Sequence, residues 1–331
     1  MRLKLSTLIT SKVLFTALAA ALFSAPAILA HAAPQSNQNA TTANSAQKSF
    51  VTPQAAAAAL IRAAGDFDVA ALKEILGPDG EDLVSSKDPV QDKNLSVGFA
   101  ARAREKESVL LDPSNRNRAI LSVGNDGWPL PIPIVKKAGR WYFDSKAGHD
   151  EILYRRIGTN ELNAIEVCRG IVEAERQYAS TIHDNSGINQ YAQRLISTPG
   201  KQDGLYWKNA DGTPGGPVSE GVARAIEQGY TLSKGSAYSG YYFKLLKGQG
   251  PAAPLGELDY MIQGMMIGGF ALVAVPAEYR VTGVKTFIVS NDGIVYQKDL
   301  GPDALDIAKR MERYNPDKTW QRTDDQWPES N

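Results

Sequence analysis

The pattern of hydrophobic and polar residues changes from helical signals to a two-residue alternation near residue 108 and back to a helical period near residue 160. After that helix it changes again, to turns and apolar strands. The first helix is predicted after Thr52-Pro53, because threonine is a favourable N-cap and proline suits the first helical position. This alanine-rich helix should end at Gly65. A second, short helix should follow Asp68 and end at Gly77, and Asp88-Pro89 repeats the cap-and-proline signal at the start of a third helix.

After the third helix, short β-prone runs alternate with clusters of Asp, Asn, Gly and Lys, which is typical of strands joined by turns. We therefore expect an antiparallel sheet that the three helices cover, an α+β arrangement of layers. The predicted strands are Ser108–Leu111, Ala119–Val123, Pro131–Val135 and Arg140–Phe143.

A long helix is predicted over Asn160–Tyr178, because apolar residues recur there at spacings of three and four and so share one helix face. Cys168, the only cysteine of the chain, lies on this face and is expected to be a buried hydrophobic residue and not a reactive thiol. A single cysteine forms no internal disulfide, so stability must come from apolar burial. The residues of the predicted apolar face are Leu162, Ile165, Cys168 and Val172.

The last part of the chain is rich in turns and then in apolar strands. The run Met265–Val275 is too short to span a bilayer and contains Gly268-Gly269, so we expect a buried central strand. Asn291-Asp292-Gly293 predicts a hairpin turn between the last two strands, and a final helix is expected over Pro302–Tyr314. The predicted strands are Gly240–Leu246, Gly269–Val275, Val284–Ser290 and Ile294–Lys298.

The N-terminus has the features of a secretory signal peptide. Three basic residues precede or adjoin an uncharged run, Val13–Leu29, and Ala30-His31-Ala32 places small residues at the positions that a signal peptidase reads. We expect cleavage after Ala32, a periplasmic or secreted location and no transmembrane anchor after cleavage. The predicted divisions are a signal peptide at 1–32, a disordered linker at 33–47, a first domain at 48–147, a second domain at 148–316 and a C-terminal tail at 317–331.

Charge and histidine content exclude several classes of function. Three of the 36 Lys and Arg residues lie within residues 1–32, which leaves 33 against 36 Asp and Glu, a charge of −3. Such a near-neutral chain offers no basic surface for nucleic acid or for an anionic membrane. After cleavage only His149 and His183 remain beside one cysteine, too few for a zinc site, so neither a metal nor a cofactor is predicted. Asp184–Asn189 is interpreted as a turn and not as a calcium loop, because the closing glutamate is missing.

Whether the protein is an enzyme stays open at this point. The chain contains no nucleophile elbow, no phosphate-binding loop and no dinucleotide motif. Asp82 and Asp88 lie between the second and third helices, and with Arg102 they could act as acid, base or ligand-binding groups in a pocket of the first domain. The other interpretation of this stretch is a solvated loop with helix caps.

Two segments have compositions that suit recognition. In the predicted loop Lys201–Trp207, charged and amide groups stand beside aromatic rings, which fits a peptide or glycan partner. Packing of its two rings on the long helix is the alternative. The candidate binding residues of this loop are Lys201, Gln202, Asp203, Tyr206 and Trp207.

Trp128 is the remaining candidate binding residue, and it begins a segment with proline at every second position, Trp128–Pro133. Proline removes main-chain donors and stiffens the chain toward an extended edge strand or a polyproline segment. The segment is therefore either a device against edge-to-edge aggregation or a docking surface for the second domain or a partner.

Each half of the chain resembles a known architecture. Phe50–Ser145, with helices before a short-stranded sheet that ends in Gly139–Phe143, resembles the nuclear-transport-factor-like cone, which implies an open mouth able to hold a ligand. The second half resembles the globular head of a type IV pilin or pseudopilin, in which a long helix leads into an antiparallel meander. The segments that carry the pilin resemblance are Asn160–Ile165, Tyr178, Gln190–Ala192, Val281–Phe287 and Gly293–Tyr296. Pilins polymerise through an apolar N-terminal half-helix, which the cone-like domain replaces here.

A third resemblance extends over both halves. It is carried by Leu76–Val84, Gly124–Pro133, Ser197–Trp207, Ile267–Val273 and Tyr296–Gly301. These segments closely resemble a family of secreted bacterial proteins defined by domain of unknown function 2950. The resemblance implies secretion and carries no activity or catalytic residue to this chain.

The function expected from these features is that of an exported, non-enzymatic cell-envelope protein. Its partner would be another exported or envelope protein, or a glycan, and not nucleic acid. The alternative is a small-ligand binder or an enzyme that uses carboxylates in the pocket of the first domain.

Overall fold

The computed structural model describes residues 47–85, 89–184, 186–218 and 239–323. Within them the chain divides into two compact units, one that ends at Tyr154 and one that begins at Arg155. The described residues form six α-helices and eighteen short strands, and the predicted α+β class is confirmed. The predicted signal peptide, all but the last residue of the linker, Asp88 and the end of the C-terminal tail lie outside the described residues.

The first two helices of the first unit begin at the predicted caps. Helix α1 (Pro53–Gly65) follows Thr52, whose hydroxyl accepts a hydrogen bond from a first-turn N–H at 3.1 Å. Helix α2 (Val69–Leu76) follows Asp68, whose carboxylate does the same at 3.0 Å. Both bonds satisfy an N–H that has no partner inside its helix. The other helices of this unit are α3 (Glu81–Val84) and α4 (Pro89–Glu105).

The first unit contains one antiparallel sheet, whose strands are β1 (Glu107–Asp112), β2 (Asn115–Val123), β3 (Trp128–Pro129), β4 (Ile134–Lys137) and β5 (Arg140–Phe143). Its order is β1-β2-β4-β5, with β3 paired to the end of β2. The prediction of a strand from Pro131 was wrong at its start, since Pro131 and Pro133 have no N–H to donate and β4 begins only after them. Between these prolines, Ile132 is buried in the core.

Apolar side chains fill the space between the helices and the sheet of the first unit. Leu121, Ile134 and Phe143 on the sheet are almost completely buried, and they belong to one cluster with the alanines of α1. Small residues such as Ala56 and Ala63 allow α1 to approach the sheet closely. The first unit is therefore held together by one packed core.

Helix α5 (Ser145–Ala179) is much longer than predicted and continues from the first unit into the second. Asp144 caps it, with its carboxylate accepting from the N–H of Ala147 at 3.2 Å. Cys168 is fully buried, as predicted, but Leu162 is 55% exposed, so its place on the buried face was wrong. Six residues at 100° each place Leu162 about 120° away from Cys168 around the helix axis.

The second unit adds thirteen strands and a sixth helix, α6 (Ala304–Arg310). The strands up to residue 249 are β6 (Arg194–Ile196), β7 (Gly204–Lys208), β8 (Pro214–Gly215), β9 (Tyr241–Leu246) and β10 (Gly248–Gln249). Those that follow are β11 (Leu258–Asp259), β12 (Met261–Ile262), β13 (Met265–Met266), β14 (Ala271–Pro276), β15 (Lys285–Ser290), β16 (Tyr296–Asp299), β17 (Arg313–Tyr314) and β18 (Gln321–Arg322).

The main sheet of this unit is the predicted antiparallel meander, in the order β9-β14-β15-β16-β18. All six residues of β14 are buried, as expected of a central strand. The prediction that the strand includes residues 269 and 270 was wrong, because Gly269 has a positive φ of 135° and β14 begins only at Ala271. The predicted turn at Asn291–Gly293 is confirmed, with Gly293 at φ 79° and its N–H bonded to Ser290 O at 2.9 Å.

Three smaller sheets complete the second unit, one of them the antiparallel hairpin β12–β13. Strand β6 pairs in parallel with β7, which pairs with β8, and β10 lies between β11 and β17. The predicted final helix to Tyr314 was wrong at its end, because α6 stops at Arg310 and Arg313–Tyr314 pairs with β10 as a strand.

Candidate binding site

The predicted binding loop Lys201–Trp207 is only partly a loop. Its second half belongs to strand β7, in which Leu205 and Tyr206 are buried. The first half remains without regular structure, and Lys201 lies exposed at the surface. We define Thr198–Asp203, which joins β6 to β7, as the connecting segment.

Next to the connecting segment lies an aromatic cluster formed by Tyr178, His183 and Trp207. At the end of α5, the ring of Tyr178 stacks on His183 with centroids 4.0 Å apart, and Trp207 meets His183 edge-on at 5.3 Å. Trp207 is half-buried, and its indole N–H donates to Asn209 Oδ1 at 3.0 Å. Part of the Trp207 ring is thus packed against Tyr178, at the end of the long helix, and against His183, as the packing alternative expects.

Hydrogen bonds hold the connecting segment at its C-terminal end. The hydroxyl of Tyr178 donates to the carbonyl of Gln202, and both carboxylate oxygens of Asp184 lie 2.8 Å from the Gln202 N–H. The side-chain amide of Gln202 lies 3.3 Å from Nδ1 of His183. Gln202 is therefore a point of attachment, and its neighbour Lys201 carries the exposed charge.

The two ends of the connecting segment are also joined to each other. The carboxylate of Asp203 accepts from the N–H and the hydroxyl of Thr198, at 2.7 and 2.8 Å. Partial burial opposes ionisation of Asp203, but these hydrogen bonds and the charge of Arg194 hold its pKa below the ordinary value. Burial raises the pKa of the Tyr178 phenol, so this hydroxyl stays a donor.

The other candidate residues lie in the first unit. Trp128 is half-buried against that unit's core, in the two-residue strand β3. Asp82 lies 3.2 Å from Nε2 of His149, whereas Arg102 donates to both carboxylate oxygens of Asp126, at 2.7 and 2.9 Å. Asp82 and Arg102 thus have different polar partners, and the third member of the proposed pocket, Asp88, lies outside the described residues.

A groove in the second unit was missed by the sequence analysis. It has a volume of about 420 Å³ and lies beside β6. Its lining residues are Gln193, Arg194, Leu195, Ile196, Leu245, Lys247, Met261 and Met266. One local signal was present in the sequence: Gln263-Gly264 between two apolar pairs is typical of a two-residue hairpin turn, and both residues have positive φ.

The part of the chain that the structure describes contains neither a cluster of metal-ligating side chains nor a helix that could span a membrane. No group of three or more His, Cys, Asp or Glu side chains there could hold a metal ion. No helix among the same residues is long and apolar enough to cross a membrane.

Comparison with known proteins identifies a family but no characterised relative. No curated protein and no solved structure matches the chain. The family described as "Protein of unknown function (DUF2950)" matches residues 47–323, which include both units. The chain therefore belongs to the DUF2950 family.

Proposed function

We propose that the protein is an exported, non-enzymatic cell-envelope protein whose second unit binds another exported component, a protein or a glycan. One observation carries the proposal: the connecting segment Thr198–Asp203 is exposed at Lys201 and yet held at both ends by buried or partly buried groups. Preorganised surface loops of this kind lose little conformational entropy on binding. Export is inferred from the basic N-terminus, the uncharged run and Ala30-His31-Ala32.

The hydrogen bonds of the titratable groups around this segment support a binding role over a catalytic one. His183 is buried, and its Nε2 lies 3.0 Å from the carbonyl of Tyr178 and 2.9 Å from the hydroxyl of Thr181. The carboxylates of Asp184 and Asp203 accept hydrogen bonds from main-chain N–H groups of the connecting segment. Groups used in this way orient the chain, whereas a general base needs a lone pair directed at a substrate.

The alternative function, an enzyme or small-ligand binder in the first unit, has less support. Asp82 lies beside His149, Arg102 pairs with Asp126, and apolar side chains fill the interior of that unit. The pocket proposal therefore depends on two groups that each have another polar partner.

The resemblance of the second unit to a pilin head supports an interaction role. Helix α5 supplies one buried face to the antiparallel meander, and both belong to one apolar cluster. Among the described residues, no apolar half-helix of the kind through which pilins polymerise precedes α5. We therefore propose binding between exported proteins without filament formation.

A photo-crosslinking amino acid placed at Lys201 tests the proposal. The full-length chain is expressed in the producing bacterium with its N-terminal segment intact, and a matched variant carries the same amino acid at Lys318, an exposed lysine of the same unit. We expect crosslinks from position 201 to an envelope component and none from position 318. Equal crosslinking from both positions, or none from either, contradicts a specific surface at the connecting segment.

A further inference from the structure

We propose that strand β6 and the groove beside it bind an extended segment of a partner protein. This segment adds to the edge of β6 that no other described strand occupies, and it carries an acidic residue among apolar ones. This inference rests on the proposed function and names the chemistry of the partner. The groove belongs entirely to the second unit.

The main-chain direction of β6 supports strand addition. The Gln193 N–H bonds to Asp203 O at 3.2 Å and the Ser197 N–H bonds to Tyr206 O at 2.8 Å. Since alternate residues of a strand point their main-chain groups to opposite sides, those of Arg194 and Ile196 face away from β7. Within the described chain, the sheet order β6-β7-β8 places β6 at the edge. Such an edge is a template for an added strand.

The groove beside this edge has an apolar floor. Leu195, Leu245 and Met266 are buried, and Met261 is half-buried. Thioether side chains are flexible and polarizable, so methionine-lined surfaces adapt to different apolar side chains. An added strand presents alternate side chains to one face, and these could enter the groove.

Two hydrogen bonds fix the groove's shape before a partner arrives. The hairpin β12–β13 forms one wall, and the Tyr191 N–H donates to Met266 O at 2.8 Å. At the tip of the hairpin, the side-chain amide of Gln193 donates to Gly264 O, also at 2.8 Å. The wall is thus attached directly to the chain that leads into β6, which reduces the entropy lost on binding.

The charge of the groove selects an acidic partner. Arg194 and Lys247 are exposed and none of the eight lining residues is acidic. Arg194 Nε lies 3.7 Å from Asp203 Oδ2, too far for a direct hydrogen bond, and that oxygen already accepts from Thr198 at 2.8 Å. A carboxylate on the partner would gain a charge-assisted contact with either cation.

A peptide selection tests the inference without a known partner. Random nonapeptides displayed on phage are selected against the purified chain that begins at Ala33, and enriched peptides are measured by fluorescence polarisation. We expect apolar residues at alternating positions with Asp or Glu among them. Each enriched peptide is also made in two N-methylated forms, one methylated at its odd-numbered and the other at its even-numbered peptide bonds. Only one of the two forms should lose binding, because only one edge of the added strand bonds to β6.

Three variants assign the binding to the groove. Ile196→Pro removes an N–H that faces away from β7, and Lys247→Glu reverses a rim charge; each should weaken binding by about tenfold or more. Lys318→Glu makes the same charge change on another surface and should leave binding unchanged. Thermal melts of all three variants show whether each one folds. If Ile196→Pro does not fold, Lys247→Glu still decides the test.

Other outcomes overturn the inference and leave the proposed function to its own crosslinking test. If no peptide is enriched, or if binding is indifferent to both groove variants, an extended segment is not the occupant. Tight binding of dodecanoate without peptide binding would identify a site for small amphipathic anions. A concentration-dependent dimer that Ile196→Pro abolishes would identify a second copy of this chain as the occupant.

Discussion

The carboxyl group of Glu175 accepts a hydrogen bond from the main-chain N–H of Ala192, at 2.8 Å, and thereby joins the interior of α5 to the chain that leads into β6. Glu175 is fully buried, and its second carboxyl oxygen has no hydrogen-bond partner among the described residues. Burial raises the pKa of Glu175 well above its ordinary value, against a smaller opposite effect of the Ala192 hydrogen bond. The group that supports the approach to the groove is thus an acid that remains protonated to unusually high pH.

This burial makes stability depend on pH. The pKa of Glu175 is higher in the folded chain than in the unfolded chain, so its contribution is most favourable below the unfolded pKa and is lost as pH rises toward the folded one. The loss is about 1.4 kcal/mol per pH unit within that window. We expect Glu175→Gln to flatten this dependence, because the amide can still accept from Ala192 and cannot ionise.

Denaturant unfolding of the parent chain and of Glu175→Gln between pH 5 and 9 measures how the free energy of unfolding of each depends on pH. Glu173→Gln, at an exposed position of the same helix, is the matched control and should follow the parent chain. Parallel pH profiles for the parent and Glu175→Gln would show that Glu175 does not titrate in this window.

Cys168 is expected to be a protected thiol. Its side chain is fully buried, and burial raises the pKa of the thiol to about 12, so the reactive thiolate is scarce at neutral pH. Labelling by a maleimide should be slow in native buffer and fast in denaturant, as followed by mass spectrometry. Equal rates in both conditions would be incompatible with this packing.

Gly215 is expected to be required for the position of Trp207. A Cβ at residue 215 would overlap the indole ring, so Gly215→Ala must displace it from the aromatic cluster. The expected cost is roughly 1–3 kcal/mol of unfolding free energy. Trp207→Ala is also expected to destabilise, since the ring is half-buried against His183.

The double variant distinguishes steric overlap from a general loss of stability. With the indole absent, Gly215→Ala should cost less than in the parent chain, a coupling on the order of 1 kcal/mol. Gly170→Ala, at a helical glycine with open space around it, is the control and should be neutral or slightly stabilising. Simple additivity of the two substitutions would show that the overlap is relieved in another way.

Processing at the N-terminus is expected after Ala32. The reason is the order of basic residues, uncharged run and small residues at Ala30 and Ala32. Intact-mass measurement of the exported protein should give a chain that begins at Ala33. A product that retains Arg2 through Leu29 would contradict both the cleavage site and the inference of export.

Some predictions from sequence succeeded because their causes are local. Thr52 and Asp68 bond to N–H groups three residues ahead, and Asn291–Gly293 closes a turn within its own hairpin. Other predictions erred where a distant partner decided the outcome. Arg313–Tyr314 forms a strand and not a helix because β10 is there to pair with it, and β7 takes Tyr206 out of the predicted loop.

The α+β class, the starts of the first two helices, the meander and the burial of Cys168 were predictable from the sequence, because these follow from periodicity and from hydrogen bonds between near neighbours. The composition of Lys201–Trp207 made it a candidate for recognition, without saying which of its side chains reach the surface. The position of the groove and the raised pKa of Glu175 could not be predicted in this way, because both depend on the folded arrangement. Strand β6 is far along the chain from both the end of β9 and the hairpin β12–β13, so only folding brings the lining of the groove together. Glu175 becomes hard to ionise only once the folded core has excluded water from it.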